Sequence, residues 1–217
     1  MALTRVLING CRGKMGMIAT DTLKQCPHLE WVGGTESTDQ LRAALRTQTV
    51  DVVVDLTTPS AVFENACLII EHAVHPVIGT SGLTSTQIDQ LRAHCQDQNL
   101  GGLFVPNFSL AAVMMMKFAR LAAPYFQGAE IIEMHHPQKK DAPSGTARTT
   151  QQWMHAAFSE PVPIHSVRLP GLLANQAVYF GGEDETLEIH HRSLSRQSFM
   201  PGLLLACQHV VSLNTFE

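Results

Sequence analysis

The sequence is poor in every feature that would send it to a membrane, a secretory route or a nucleic acid. Only 16% of its 217 residues are charged, and the net charge of -4 comes with no stretch that mixes dense Lys or Arg with aromatic side chains. General nucleic-acid binding is therefore not expected. No apolar run approaches the ~20 residues of a membrane span, so no membrane partner is expected either. "MALTRVLING" enters a strand pattern directly, without a signal-like apolar segment. The cysteines (Cys11, Cys26, Cys67, Cys95 and Cys207) are odd in number, scattered, and lack a C-x-x-C pair. That pattern argues against a disulfide framework and a zinc site, and suits reduced thiols in the cytoplasm. Internal repeats and low-complexity tracts are missing too. What remains is an ordinary globular composition, 45% hydrophobic, for which no metal is expected.

Along the first half, short apolar runs alternate with amphipathic stretches. "TRVLIN" (4–9), "EWVGGT" (30–35), "DVVVDLT" (51–57), "PVIGT" (76–80) and "GLFVP" (102–106) read as strands. The third is almost continuously β-branched, as in a strand covered on both faces. Between them lie predicted helices over 14–26 (Met17, Ile18 and Leu23 inward), 39–47 (capped by Thr38 or Asp39), 60–73 (capped by Ser60) and 84–97. Strands separated by helices imply a Rossmann-like, doubly wound parallel sheet, because parallel neighbours need a crossover. After Pro106 the pattern changes. Helices are predicted over 109–123 and 145–158, a strand over 129–136, and β-like stretches in "PIHSVRLP", "QAVYFGG" and "ETLEIHHRSLS". The fold class expected is α/β: the N-terminal Rossmann-like sheet plus a C-terminal α+β domain with an open mixed sheet. The domains predicted are 1–107 for dinucleotide binding, with the apolar segment 195–217 packing back on it, and 108–194 for substrate binding and oligomerisation.

"INGCRGKMG" joins the first strand to the first helix with Gly10, Gly13 and Gly16 spaced G-x-x-G-x-x-G. A pyrophosphate needs main-chain N–H groups close to it, and glycine removes the Cβ that would stand in the way. Arg12 occupies the place of the usual second glycine, and turn glycines can also be purely structural. The strand before, the helix after and Glu36 ending the next strand favour a dinucleotide. Glu36 suits ribose hydroxyls and repels a 2′-phosphate, which favours NADH; Arg12 and Lys14 are cations that leave NADPH open. "DLTTPSAV" and "GTSGLT" end the third and fourth strands, so Thr57, Gly79, Thr80 and Ser81 either line the nicotinamide ribose or are turn residues. "VPNFSLA" (105–111) ends the fifth strand and brings Val105, Asn107 and Phe108 toward the nicotinamide.

"EMHHPQKKDAPSGTA" (133–147) packs two histidines, two lysines and an aspartate just before a predicted helix start at Ser144. A helix N-terminus offers unpaired N–H groups and a favourable dipole to carboxylate. Lys139 and His136 add positive charge, so a small dicarboxylate is the expected ligand, and His135 is the natural proton donor. The alternatives are a merely polar loop or a metal hydrolase built on His135, His136 and Asp141. Adjacent histidines on a strand point to opposite faces and chelate poorly. His190-His191 repeats the pair and may equally be structural; Lys140 and Asp141 form either a loop pair or a backbone brace.

These segments resemble those of the dihydrodipicolinate reductase (4-hydroxy-tetrahydrodipicolinate reductase) family of the bacterial and plant route through diaminopimelate to lysine. "EIIEMHHPQKKDAPSGTA" (130–147) is similar to that family's signature segment, and "GCRGKMG", "DLTTP", "GTSGL", "PNFSLA" and "LSRQSFMPG" (194–202) follow in the family's order. The resemblance implies reduction of 4-hydroxy-tetrahydrodipicolinate with NADH or NADPH, with His135 as proton donor and Lys139 beside it. It implies substrate carboxylates on His136, Lys139, Gly145 and Thr146. It implies cofactor contacts from Gly10, Lys14, Met15, Glu36, Gly79, Ser81, Asn107, Phe108 and Arg196, and a homotetramer assembled through the second domain's sheet. Arg12, Ser37 in place of a phosphate-binding arginine, and a short 36–50 region depart from the family pattern and bear on cofactor choice. A non-catalytic NADH-sensing module is the alternative of a different class.

Overall fold

The computed structural model describes residues 3–217, which divide into two compact units: one reaching to Phe108 and including Phe199–Glu217, the other Ser109–Ser198. The first unit alternates strand and helix as β1 (Thr4–Asn9), α1 (Lys14–Lys24), β2 (Leu29–Thr35), α2 (Thr38–Thr47), β3 (Val52–Asp55), α3 (Val62–Glu71), β4 (His75–Ile78), α4 (Ser85–Asp97) and β5 (Leu103–Phe104). All strand pairings in its sheet are parallel, in the order β2-β1-β3-β4-β5. The order reverses direction between β1 and β3, and ligands of open α/β sheets bind beyond the strand C-termini at such a switch point. The glycine turn and the Thr-rich end of β3 both lie there.

The helix starts follow local chemistry. Ser37, not Thr38 or Asp39, caps α2 by accepting the Gln40 N–H at 3.3 Å. Ser60 does not cap α3: its hydroxyl pairs with Thr58, and Ala61 takes the cap position without a side-chain bond. Thr84 and Gln87 form a capping box at α4. Met17 is exposed rather than inward, because Gly16, Ala19 and Leu23 form the buried face of α1.

The second unit contains α5 (Leu110–Ala122), β6 (Gly128–His135), α6 (Gly145–Met154), β7 (Ile164–Arg168), β8 (Ala174–Gly182) and β9 (Glu185–Ser193). Its sheet runs β7-β6-β8-β9, with β6 and β7 parallel and the other pairs antiparallel. The helices cover one face: Met115, Met116 and Ala119 of α5 and Ala147 and Met154 of α6 bury against Ile131, Val178 and Phe180. The strict alternation of strand side chains puts Ile132, Tyr179 and His190 on the other face.

The last helix, α7 (Met200–Val210), belongs to the first unit. Its apolar stripe of Leu203, Cys207 and Val210 joins Val6, Val52, Val54 and Val77 in one core cluster. Gly202 allows this approach, since a Cβ there would fall 2.0 Å from the Phe108 carbonyl oxygen. All five cysteines are free; Cys95 is buried, and burial pushes its thiol up to about 12. Leu203 is fully buried, so Leu203→Ala should lower unfolding free energy by about 2–5 kcal/mol, measured by urea titration. A cost under about 0.5 kcal/mol, the size of an ordinary surface substitution, would contradict the packing described for α7.

Candidate active site

Two clusters of polar groups stand out, one in each unit. In the first unit the turn after β1 is shaped by backbone closeness. Gly10 has φ of +87°, and a Cβ there would lie 2.6 Å from the Leu56 carbonyl oxygen. At Gly16 it would lie 2.0 Å from the Gly10 carbonyl oxygen. Gly13 caps α1 without any side-chain hydrogen bond, and the first turn of that helix carries no acid. Such an uncapped N-terminus attracts phosphate. Glu36 bends over the turn, accepting the Arg12 main-chain N–H and, at 3.1 Å, the Cys11 thiol. A cavity of about 410 Å³ adjoins the turn, lined among others by Gly10, Gly13, Glu36, Thr57 and Asn65. A glycine cradle that any Cβ would fill, beside a cavity with an acid at its rim, fits a dinucleotide.

Behind the cavity sits Asp55, fully buried at the end of β3. It accepts from Asn9 Nδ2 and Asn65 Nδ2 at 2.9 Å each, from Thr57 N at 3.2 Å and Oγ1 at 2.7 Å, and from Thr80 Oγ1 at 2.8 Å. A buried carboxylate is tolerated only when its lone pairs are filled in this way. The Thr80 hydroxyl is buried on Asp55, which leaves its main chain as the part that could meet a ribose. The Phe108 ring lies in the core against Gly79. Arg12, Lys14 and Ser81 are exposed, Met15, Val105 and Asn107 half-buried, and Arg196 lies in the second unit at the start of a short 3-10 turn.

In the second unit His135 ends β6 with Glu133 two residues earlier on the same face. Its Nδ1 lies 2.5 Å from Glu133 Oε2, and the Glu133 side chain is fully buried. Arg168, at the end of β7, grips the same carboxylate with Nη1 at 2.9 Å from Oε2 and Nη2 at 2.7 Å from Oε1. The Ser144 N–H adds a bond to Oε1 at 3.2 Å, and Arg168 Nη2 also reaches the Asp141 carbonyl at 2.8 Å. Burial works to raise the Glu133 carboxyl, but bonds from Arg168, Ser166 and His135 hold it below the ordinary glutamate value. Burial pushes the His135 imidazole down against the pull of Glu133, with Lys139 and Arg168 adding to the fall.

Lys139 Nζ is held by Asp141 at 2.8 and 3.0 Å, and His136 Nδ1 is paired with Gln138 at 3.1 Å. His135, His136 and Asp141 are thus engaged with three different partners, and among the described residues no group of His, Cys, Asp or Glu is arranged to hold a metal. Ser144 caps α6 by accepting the Ala147 N–H at 3.2 Å. No acid stands in the first turn of α6, and nothing lies within 4 Å of a Cβ built at Gly145. His191 differs from the first histidine pair: it is buried, bonded to Ser109 at 3.1 Å, and a packing residue. The sequence reading missed Glu133 and Arg168. Glu133 stood in the quoted motif with the period-2 spacing that places it beside His135; Arg168 had no local signal.

Family models described as dihydrodipicolinate reductase, N-terminus and C-terminus, match residues 4–108 and 111–215. The chain is 46% identical to the 4-hydroxy-tetrahydrodipicolinate reductase of Legionella pneumophila strain Lens, covering 97% of this chain and 95% of that one. It is equally 46% identical to the enzyme of that name from Coxiella burnetii strain Dugway 5J108-111, over 96% and 94% of the two chains. Its structure resembles dipicolinate-bound dihydrodipicolinate reductase from Paenisporosarcina sp. TG-14, with a TM-score of 0.89, 38% identity, and coverage of 100% and 97%.

The glycine turn carries its own test. Gly16→Ala forces a methyl group against the Gly10 carbonyl, and the turn must shift by more than an ångström to admit it. NADH affinity, read from nicotinamide fluorescence, should weaken about tenfold or more, in line with the cost of overpacking. An unchanged dissociation constant would remove this turn from the nucleotide site.

Proposed function

The chain belongs to the dihydrodipicolinate reductase family, and from that membership we propose how its own residues reduce 4-hydroxy-tetrahydrodipicolinate to tetrahydrodipicolinate in lysine and diaminopimelate biosynthesis. A bound nicotinamide nucleotide supplies the hydride. Gly10, Gly13 and Gly16 would seat its pyrophosphate at the α1 N-terminus, and Glu36 would take the adenosine ribose. The single observation that carries the reading is the buried Glu133–His135 pair at 2.5 Å beside the Lys139 loop and the α6 N-terminus. A non-catalytic nucleotide sensor would leave that cluster without work.

The cyclic imine loses water from its 4-hydroxyl, leaving a conjugated ring. Main-chain N–H groups at Gly145 and Thr146, with His136 and Lys139, hold the two ring carboxylates. Hydride addition at C4 drives electron density to C3 as an enamine, and His135 delivers the proton to that carbon. Lys139 trades its Asp141 partner for substrate carboxylate. The bound dianion raises the imidazole again, offsetting the fall caused by burial, because an opposite charge favours the protonated ring.

Cofactor preference is read from Glu36. Its carboxylate lines the cavity, and Ser37 beside it is engaged in capping α2 rather than supplying a cation. NADH is the preferred nucleotide and NADPH a poorer one. The fold's open sheet face, bearing Ile132, Tyr179 and His190, supports a homotetramer through the second unit. No helix among the described residues is long and apolar enough to cross a membrane.

A coupled assay with the upstream synthase tests the roles. His135→Ala should lower kcat about a hundredfold or more with little change in KM, the scale of a lost general acid. Lys139→Ala should damage both constants. If neither variant changes turnover more than about tenfold, below that range, the assignment fails. For the cofactor, wild-type kcat/KM should favour NADH, and Glu36→Gln should narrow the NADH to NADPH ratio about tenfold by removing a like charge.

A further inference from the structure

Two features of the second unit are left over when the proton donor and the carboxylate cradle have been assigned. Glu133 is a carboxylate with no exposed side-chain surface, and Arg168 spends both guanidinium nitrogens of one edge on it. An ion pair whose carboxylate is fully buried contributes little to stability alone, since desolvation offsets most of the attraction. Its retention is explained if the pair serves the imidazole it touches.

We propose that Glu133 and Arg168 are positioning residues for the proton-transfer step: Arg168 locks the buried carboxylate, and the carboxylate holds His135 by Nδ1, so that Nε2 is the nitrogen that surrenders the proton. The inference rests on the reading of His135 as proton donor. Its geometry is specific. An ionised carboxylate only accepts hydrogen bonds, so Nδ1 carries hydrogen in both charge states of the ring. The neutral ring left after proton transfer is then the Nδ1–H tautomer, ready to be reprotonated at Nε2 without rotating. Arg168 keeps Glu133 from competing for that proton.

Arg168 also ties this geometry to the loop. Through its bond to the Asp141 carbonyl it joins the proton donor's partner to the segment that carries Lys139. The charged groups around His135 are therefore Glu133 from β6, Arg168 from β7, and Lys139 from the loop, with Asp141 neutralising Lys139. Arg148 of α6 acts in turn on Asp141. Of these only Glu133 favours the charged imidazole directly. Loss of its charge should move the alkaline decline of kcat/KM to lower pH, because a general acid works only while protonated and the decline follows its pKa.

The test compares Glu133→Gln, Glu133→Asp, the paired replacement Glu133→Gln with Arg168→Met, and His135→Gln. The paired variant removes the ion pair without leaving one charge buried alone, so its folding is not confounded by an orphan charge. NADH affinity should stay within about twofold of wild type in all of them, since hot-spot losses are confined to contact residues. In Glu133→Gln and in the pair, kcat should fall about tenfold to a hundredfold. The alkaline limb should shift down by about one pH unit in Glu133→Gln and by less in the pair, where the opposing charge of Arg168 is removed as well. Glu133→Asp keeps the charge and should return the limb toward its wild-type position while kcat stays low. In the wild-type protein, nitrogen-15 NMR of the neutral His135 ring should show Nδ1–H, a readout that needs no variant to fold. A neutral Nε2–H ring, or any folded Glu133→Gln protein with wild-type kcat and pH limb, overturns the proposal. If His135→Gln itself keeps full turnover, the proton-donor reading has failed instead.

Discussion

The grip of Arg168 on Glu133 is the interaction around which the polar cluster of the second unit is arranged. It joins neighbouring strands at their C-terminal ends, where His135 and Arg168 stand opposite each other in the parallel register of β6 and β7. A carboxylate with no exposed surface would be unstable there without the two guanidinium bonds and the Ser144 N–H. With them it remains ionised and orients an imidazole. Sequence spacing along β6 brings Glu133 and His135 to one face, the β6–β7 pairing brings Arg168, and the loop carries Lys139 and the α6 N-terminus past them. Each later step in the proposed chemistry draws on that arrangement.

The first unit solves a parallel problem with neutral donors. Asp55 is as buried as Glu133, yet among the described residues no cation pairs with it; five bonds from two asparagines and two threonines fill its lone pairs. The effect is to knit the ends of β1, β3 and β4 and the start of α3 into one floor beneath the cavity. A floor held by short polar side chains can be rigid without adding a positive charge near the nucleotide turn, where Glu36 occupies the rim.

Much of this was legible before any coordinates. The glycine spacing, the β-branched third strand and the Pro-Ser-Gly-Thr helix start are local signals, because each reflects the conformational demands of a few adjacent residues. The parallel sheet followed from the alternation of strand and helix. Signals failed where a side chain's partner lies far along the chain. Arg168 is 35 residues from Glu133 and sits in an unremarkable stretch, so nothing nearby marks it. The bond from the Thr80 hydroxyl to Asp55, 25 residues away, and the packing of the Phe108 ring in the core were likewise invisible in their local segments. The cap of α2 moved by one residue to Ser37 and that of α3 off Ser60, since any of several neighbouring hydroxyls can serve and only backbone geometry chooses.

The parallel pairing of β6 with β7 has a topological cost that the site turns to use. Two parallel neighbours cannot be joined by a tight turn, so the chain from His135 to Ile164 must travel the length of the sheet and return. That obligatory detour is the segment bearing Lys139, Asp141, Ser144 and α6. The loop between β6 and β7 is therefore part of the scaffold and not an ornament on it. A connection too short to span the crossover would disturb the register that sets Arg168 opposite His135, so the reach of the loop and the setting of the Glu133–His135 pair are linked.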